Sequence, residues 1–150
     1  MFERIFVAFD GSPGSRTACQ VAIQLAARFQ SNLTIGTVHE GAAEYTDGRV
    51  ESLAPFDRDG KSLAVLIEEL RAQALAAGAK GLDHAFLTGE VVPAVLEYLG
   101  THPHDLVVTG SRGLTRGQRL IRGSVSAGLV GEAPCPVLVV RDPKGRRSAR

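Results

Sequence analysis

The sequence has few cysteines and no long hydrophobic run, and both absences exclude a class of protein. No apolar stretch approaches the roughly 20 residues that a membrane-spanning helix requires, and the opening residues MFERIFVAFDGS do not follow the pattern of a secretion signal. Cys19 and Cys135 do not have the spacing of metal ligands. His102 and His104 flank a proline without companion ligands, which indicates a turn rather than a metal site. We therefore expect a cytoplasmic protein with free thiols and no membrane span.

Excess charge is also missing, because 17 basic and 16 acidic side chains leave a net charge of +1. A protein dedicated to binding nucleic acid is therefore not expected. The tail, residues 142–150, is strongly basic and is interpreted as mobile and solvated rather than as a binding arm. The hydrophobic content of 44% and the charged content of 22% are near globular averages, so residues 1–141 are expected to form a single domain.

Five short apolar runs alternate with four helix-like patterns along the chain. The first run, Ile5 to Phe9, is nearly continuous, as a strand buried on both faces of a sheet requires. Asp83 and His84 interrupt the third run, which indicates an edge strand. The alternation predicts an α/β fold with a doubly wound, open, five-stranded parallel sheet and helices on both faces. Residues 41–60 show little pattern and are predicted to form a long loop.

Local signals predict where the first two helices begin and end. Ser12 suits the N-cap of the first helix, and Pro13 suits its first position. Asp59 is the predicted cap of the second helix, and Gly78 or Gly81 is its predicted end. The stripe predicted to face the core in the first helix consists of Ala18, Val21, Ala22, Leu25, Ala26 and Phe29.

One stretch near the C-terminal end combines a strand, a glycine loop and a helix. Its apolar run ends at Thr109-Gly110, and Gly123-Ser124 opens the helical pattern. Four arginines lie between these points, with no acidic residue between Gly110 and Gly131. Glycines let backbone N–H groups approach a ligand closely, and a helix N-terminus offers unpaired donors. The stretch therefore predicts a phosphate-binding loop, with an ordinary strand-to-helix connection as the alternative.

Asp10 follows the first strand as Gly110 ends the fourth. In open α/β sheets, ligands bind outside the carboxyl ends of the strands, where the winding reverses. If the two strands are neighbours at that point, Asp10 faces the glycine loop across one crevice. Its carboxylate could then accept hydrogen bonds from ribose hydroxyls or hold a phosphate-bound cation. The alternative role for Asp10 is that of a turn or cap residue in Asp-Gly-Ser-Pro.

The combination of these motifs resembles a known family. Gly110-x2-Gly113-x9-Gly123-Ser124, with Asp10 after the first strand and the ending Pro-Cys-Pro-Val-Leu-Val-Val, closely resembles the universal stress protein family, specifically its ATP-binding branch. The resemblance covers almost the whole chain. It implies the strand order 3-2-1-4-5 in a Rossmann-like sheet of the adenine-nucleotide α-hydrolase type. It also implies ATP as the ligand, with Mg²⁺ or Mn²⁺ bound through the phosphates.

The resemblance further implies a role for individual residues. Asp10 would bind the ribose, and Ala8 and Val38 would flank the adenine. Thr109 and Gly110 would lie under the nucleotide. The phosphates would be surrounded by Arg112, Gly113, Gly123, Ser124, Val125 and Ser126. The last strand, Pro136 to Val140, would pair with a second copy to form a homodimer, which would also cover an otherwise exposed edge.

The site offers little for catalysis. Fast phosphoryl transfer needs a positioned nucleophile, charge neutralisation and usually a base, and the glycine stretch contains neither an acid nor a histidine. We therefore expect an ATP-binding regulator of a stress response, with no assigned catalytic residue and an unknown protein partner. Slow ATP hydrolysis and phosphorylation of Ser124 or Ser126 stay open. The alternatives are a nucleotide-independent dimeric interaction module and a site for AMP or a cyclic nucleotide.

Overall fold

The computed structural model describes residues 1–39, 62–111 and 125–141, so the loop predicted for 41–60 and the tail at 142–150 lie outside it. Strands and helices alternate in these residues: β1 (Arg4–Ala8), α1 (Pro13–Phe29), β2 (Asn32–His39), α2 (Leu63–Ala77), β3 (Gly81–Thr88), α3 (Val91–Thr101), β4 (Leu106–Gly110), α4 (Val125–Glu132) and β5 (Val137–Val140). None of the described helices is both long and apolar enough to cross a membrane.

The five described strands form one parallel sheet in the order β3-β2-β1-β4-β5. β1 lies at the centre, where Ile5 pairs with Leu33 of β2 on one side and with Leu106 of β4 on the other. The chain builds outward from β1 to β3 and then returns to add β4 and β5 on the opposite side. This order confirms the predicted doubly wound sheet, and the winding reverses between β1 and β4.

Helices cover both faces of the sheet, and each face has its own core. Ile5 and Val7 of β1 pack with residues of α1 and α2, whereas Phe6 and Ala8 pack with residues of α3 and α4. All four side chains are almost completely buried. The prediction that β1 is buried on both faces is therefore confirmed. β3, the predicted edge strand, lies at one edge of the sheet, and β5 lies at the other.

Helix α1 begins as predicted, and Ala18, Ala22 and Ala26 of the predicted stripe are buried, but Phe29 is not. Ser12 is its N-cap and Pro13 its first residue. The prediction for Phe29 was wrong, because its side chain is 42% exposed and meets the ring of Phe2 edge-on, with ring centroids 5.4 Å apart. The buried residues of the helix are Gly14, Ser15, Ala18, Cys19, Ala22, Ile23 and Ala26. Most of these side chains are small, which lets the helix axis approach the sheet closely.

Helix α2 begins later than predicted. Its N-cap is Ser62 rather than Asp59, and the Ser62 hydroxyl oxygen accepts the N–H of Val65 at 3.4 Å. A serine directly before the apolar pattern satisfies an otherwise unpaired donor of the first turn. Gly78 ends the helix, as predicted, with a left-handed backbone at φ +113°.

Candidate functional site

The carboxyl ends of β1 and β4 lie side by side where the winding of the sheet reverses. Val7 of β1 pairs with Val108 of β4, so the segments that contain Asp10 and Gly110 leave the sheet next to each other. The expectation that these two strands are neighbours is confirmed. This is the position at which open α/β sheets bind their ligands.

The end of β4 is in direct contact with the beginning of α1. A Cβ atom added at Gly110 would lie 2.8 Å from the carbonyl oxygen of Gly14. Real Cβ atoms do not approach backbone atoms so closely, so a side chain at position 110 would push β4 and α1 apart. The end of β4 and the first turn of α1 are therefore in direct main-chain contact.

Asp10 forms two hydrogen bonds with the turn that follows it. Its Oδ1 accepts the backbone N–H of Ser12 at 2.8 Å, and its own N–H donates to the hydroxyl oxygen of Ser15 at 3.3 Å. Within the described residues, no hydrogen bond reaches its second oxygen, Oδ2. Asp10 therefore performs the turn role considered as an alternative, and it retains a carboxylate oxygen with which to bind a ligand.

The predicted adenine and helix-start residues lie on the α3 and α4 face of the sheet. Ala8 is buried in the core of that face, and Val38 and Val125 are half-buried against the same core. Ser126 is also half-buried, in the first turn of α4. These residues come from three elements, so the fold brings β1, β2 and α4 to one side of the crevice.

Thr109 is fully buried, and its hydroxyl donates to the carbonyl oxygen of Gly110 at 3.4 Å. A ligand in the crevice would therefore meet the main chain of residue 109 rather than its side chain. The N–H of Ser111 donates to the carbonyl oxygen of Val140 at 2.9 Å. The beginning of the glycine loop is thereby attached to β5. The remaining predicted phosphate-binding residues, Arg112, Gly113, Gly123 and Ser124, lie outside the described residues.

The first turn of α1 favours an anion. It contains no acidic residue, and its N-terminal end carries the positive end of the helix dipole. The Nε of Arg16 donates to the carbonyl oxygen of Gly11 at 3.0 Å, which places a guanidinium beside this turn. Gly11 itself has a left-handed backbone at φ +82°. The turn therefore combines a cation, a helix N-terminus and one carboxylate within a few residues.

Ser15 and Gly14 were not identified as candidate site residues from the sequence. Ser15 is 1% exposed, and its hydroxyl donates to the carbonyl oxygen of Ser12 at 3.0 Å while it accepts the N–H of Asp10. The available signal was the second serine in Ser-Pro-Gly-Ser, a polar residue on the helix face that turns to the core. That signal identifies an unusual residue, but its bonding partners depend on the folded turn.

The histidines that precede β4 lie at the opposite, amino-terminal edge of the sheet. Nδ1 of His104 lies 2.6 Å from the carbonyl oxygen of His102, and Nε2 lies 3.1 Å from Oγ1 of Thr34. A carbonyl oxygen only accepts, so Nδ1 carries the proton and Nε2 accepts from the threonine hydroxyl. In the described part of the chain, no three histidine, cysteine or acidic side chains gather as metal ligands. His104 thus connects the turn before β4 to β2.

Comparisons with known proteins agree with this geometry. The sequence matches the universal stress protein family over residues 1–141. It is 34% identical to a Thermus aquaticus protein described as the universal stress protein in the QAH/OAS sulfhydrylase 3′ region, covering 94% of this chain and 100% of that protein. It is 31% identical to the stress response protein NhaX of Bacillus subtilis, covering 93% of this chain and 98% of that protein.

A solved structure shares both the fold and part of the sequence. It is a universal stress protein in complex with cAMP, with a TM-score of 0.74 and 27% identity, covering 93% of this chain and 97% of that one. The sheet order, the sequence match over nearly the whole length and this structural similarity point to the same group of proteins. The chain therefore belongs to the universal stress protein family.

Proposed function

We propose that this protein binds an adenine nucleotide, in the first place ATP, in the crevice between the ends of β1 and β4, and that it acts as a nucleotide-dependent regulator. The observation that carries the proposal is that β1 and β4, which lead to Asp10 and end at Gly110, are neighbours at the point where the winding reverses. The close contact between Gly110 and Gly14, which holds the end of β4 against the first turn of α1, supports the proposal. Segments held by packing before the ligand arrives avoid part of the ordering cost of binding.

In this proposal each part of the nucleotide has its own set of residues. Asp10 accepts a ribose hydroxyl through Oδ2, and Ala8 and Val38 flank the adenine. Thr109 and Gly110 provide main chain beneath the nucleotide. The phosphates, with Mg²⁺ or Mn²⁺ bound through them, are held by Arg112, Gly113, Gly123, Ser124, Val125 and Ser126. Support for the adenine side is that Ala8 and Val38 belong to one apolar cluster on the α3 and α4 face, in which Ala8 is buried and Val38 is half-buried.

A second candidate ligand is cAMP. The solved relative with 27% identity is a complex with cAMP, and a cyclic monophosphate would need only part of the phosphate-binding loop. The two candidates differ in charge and in the number of phosphates. ATP is favoured when the whole glycine loop takes part in binding, because that loop offers donors beyond what one phosphate can use.

Hydrolysis is expected to be slow. Among the described residues that directly follow β1 and β4, Asp10 is the carboxylate, and the N–H of Ser12 already donates to its Oδ1. A group held in this way is better placed to fix a ribose than to activate water. We therefore assign no catalytic residue and expect turnover below about 1 per second, the low end of ordinary enzyme rates.

Assembly is the second part of the proposal. Leu138 and Val139 of β5 are each 37% exposed on an edge strand, and such an edge is prone to pair with another strand. We propose that residues 1–141 form one domain that pairs through β5 in a homodimer. We propose that the dimer acts on a protein partner in the cytoplasm, where ATP is available.

A thermal shift assay with Mg-ATP, cAMP and AMP tests the proposed function. Ligand at about 100 times its Kd should stabilise the protein by roughly 2.7 kcal/mol, a shift of several degrees. The variant Gly113→Val should lose the shift with ATP. Gly100→Val is the matched control, because Gly100 is exposed on α3 with open space around its Cβ position.

The outcomes separate the candidates. A shift with ATP that disappears only in Gly113→Val supports the ATP regulator. A shift with cAMP alone favours the second ligand. If nucleotide-free protein shifts with none of the three, the crevice is not a nucleotide site, and a nucleotide-independent interaction module becomes the better description.

A further inference from the structure

We infer that Ser15 is a positioning residue that fixes Asp10 for recognition of a ribose hydroxyl. The inference rests on the proposed function, because it assigns a role within the nucleotide site. Ser15 would not touch the nucleotide. It would act through the main chain of Asp10, whose N–H it accepts at 3.3 Å.

The burial of Ser15 needs an explanation. Its side chain is 1% exposed on the core face of α1, where several of its neighbours are alanine. A buried hydroxyl is costly unless both its donor and its acceptor functions are used. Here the hydroxyl donates to the Ser12 carbonyl oxygen at 3.0 Å and accepts from Asp10. The hydroxyl is therefore committed to the Asp10 turn rather than to the core.

The consequence for Asp10 is a fixed direction of its carboxylate. Ser15 holds the main chain of Asp10, and the N–H of Ser12 holds Oδ1 at 2.8 Å. Because the main chain and Oδ1 are both hydrogen-bonded, Oδ2 is the carboxylate oxygen available to a ligand in the described structure. A single preorganised acceptor gains more from one well-placed hydroxyl than a freely rotating carboxylate does. Discrimination between ribose and deoxyribose should therefore depend on Ser15.

The neighbouring Ser12 provides a matched control. Its hydroxyl oxygen accepts the N–H of Ser15 at 3.3 Å and caps α1. Ser12→Ala would remove a hydroxyl from the same turn and would weaken the helix start. It would leave intact the backbone N–H of Ser12 that binds Oδ1 and the Ser15 hydroxyl that binds Asp10. The two variants thus separate loss of the cap from loss of the Asp10 contact.

The experiment measures Kd for ATP, 2′-deoxy-ATP and 3′-deoxy-ATP by calorimetry in wild type, Ser15→Ala and Ser12→Ala. Wild type should prefer ATP over at least one deoxy analogue by about tenfold, as expected for a hydrogen bond to a charged acceptor. Ser15→Ala should lose most of this preference, mainly by binding ATP more weakly. Ser12→Ala should keep it. Equal weakening of all three ligands in Ser15→Ala, or no preference in wild type, would overturn the inference.

Amide hydrogen exchange without nucleotide separates this inference from the proposed function. The Asp10 amide should exchange faster in Ser15→Ala, because its acceptor is gone, and should stay protected in Ser12→Ala. Unchanged protection in Ser15→Ala would contradict the positioning role even if ATP binds. If Asp10 is deprotected but wild type binds none of the nucleotides, the proposed function fails, and the ribose role of Ser15 fails with it.

Discussion

Gly110 at the end of β4 lies against the carbonyl oxygen of Gly14 in the first turn of α1, with room for hydrogen but not for a Cβ atom between them. The contact joins the two segments that carry the candidate site. It also makes the width of the crevice depend on two glycines that are 96 positions apart in the sequence.

Gly110→Ala should widen the crevice and weaken nucleotide binding. The added Cβ would lie 2.8 Å from the Gly14 carbonyl oxygen, and a backbone atom cannot move aside as a side-chain end can. We expect a destabilisation of about 1 to 3 kcal/mol, as for other overpacked sites, together with loss of the ATP-dependent thermal shift. Gly100→Ala is the control and should be neutral or slightly stabilising, because it is an exposed helical position with open space.

Gly36→Ala should destabilise the protein through a steric clash in its core, whether or not the crevice changes. An added Cβ would lie 2.1 Å from Cζ of Phe6, whose ring is fully buried. The ring also meets Tyr98 and His104, both with centroids 5.7 Å away. We expect about 1 to 3 kcal/mol loss in urea unfolding. Phe6→Leu in the same chain should recover part of it, and strictly additive losses would contradict the steric explanation.

Stability should fall as the pH is lowered towards the acidic range. Burial lowers the pKa of His104 below its ordinary value of 6.5, and electrostatic interactions with Arg4 and with the His102 ring lower it further, against opposing effects of the His102 carbonyl oxygen and Asp105. The pKa of His84 is lowered by burial and by Arg71. A histidine with a depressed pKa in the folded state contributes stability above pH 6.5 that is lost as the unfolded chain takes up protons below it.

Unfolding free energies measured between about pH 5 and about pH 7.5 check this expectation, since histidine titrates in that range. Wild type should lose stability on the acidic side. The unfolding free energy of His104→Gln should depend less on pH than that of wild type. A second variant that also carries His84→Gln should show a still weaker dependence. The same slope in all three proteins would show that these histidines are not the linked groups.

Val139→Lys should interrupt the proposed dimer. Val139 is 37% exposed on β5, an edge strand, and a charged residue on an edge discourages strand pairing. We expect the elution volume and light-scattering mass of the variant to be those of a monomer, with wild type a dimer. Val65→Lys, at an exposed position on α2 that is 46% accessible, is the control. A monomeric wild type would contradict the proposal that the protein pairs through β5.

Cys19 should resist modification while the protein is folded. Burial raises the pKa of its thiol to about 12, so roughly one molecule in ten thousand carries the thiolate near pH 8. The pKa of Cys135 is also raised, by burial and by Asp105, but its side chain is only half-buried. Ellman's reagent should therefore react with Cys135 first. Cys135→Ser should show no fast reaction until denaturant is added, and rapid labelling of that variant would contradict the burial of Cys19.

Signals that act over a few residues were enough to predict much of the fold. The alternation of apolar runs and helical patterns predicted the strands and helices that the structure describes, and Ser12 and Gly78 are where helix boundaries were expected. Asp83 and His84 indicated an edge strand for β3. These features follow from local backbone preferences and from the period of hydrophobic residues, which are properties of contiguous sequence. The strand order was implied by resemblance to the family rather than by the periodicity.

Contacts between distant segments were decided by the tertiary structure. Three features depend on how closely α1 packs against the sheet. They are the burial of Cys19 and Ile23 with Phe29 exposed, the approach of Gly110 to Gly14, and the hydrogen bonds of Ser15. Sequence can identify a glycine or a buried serine as unusual, but not the atom it will meet. The sequence by itself therefore determined the elements and their local boundaries. Only the packing of those elements determined how the ends of β1 and β4 meet α1, because steric fit is a property of atoms brought together from far along the chain.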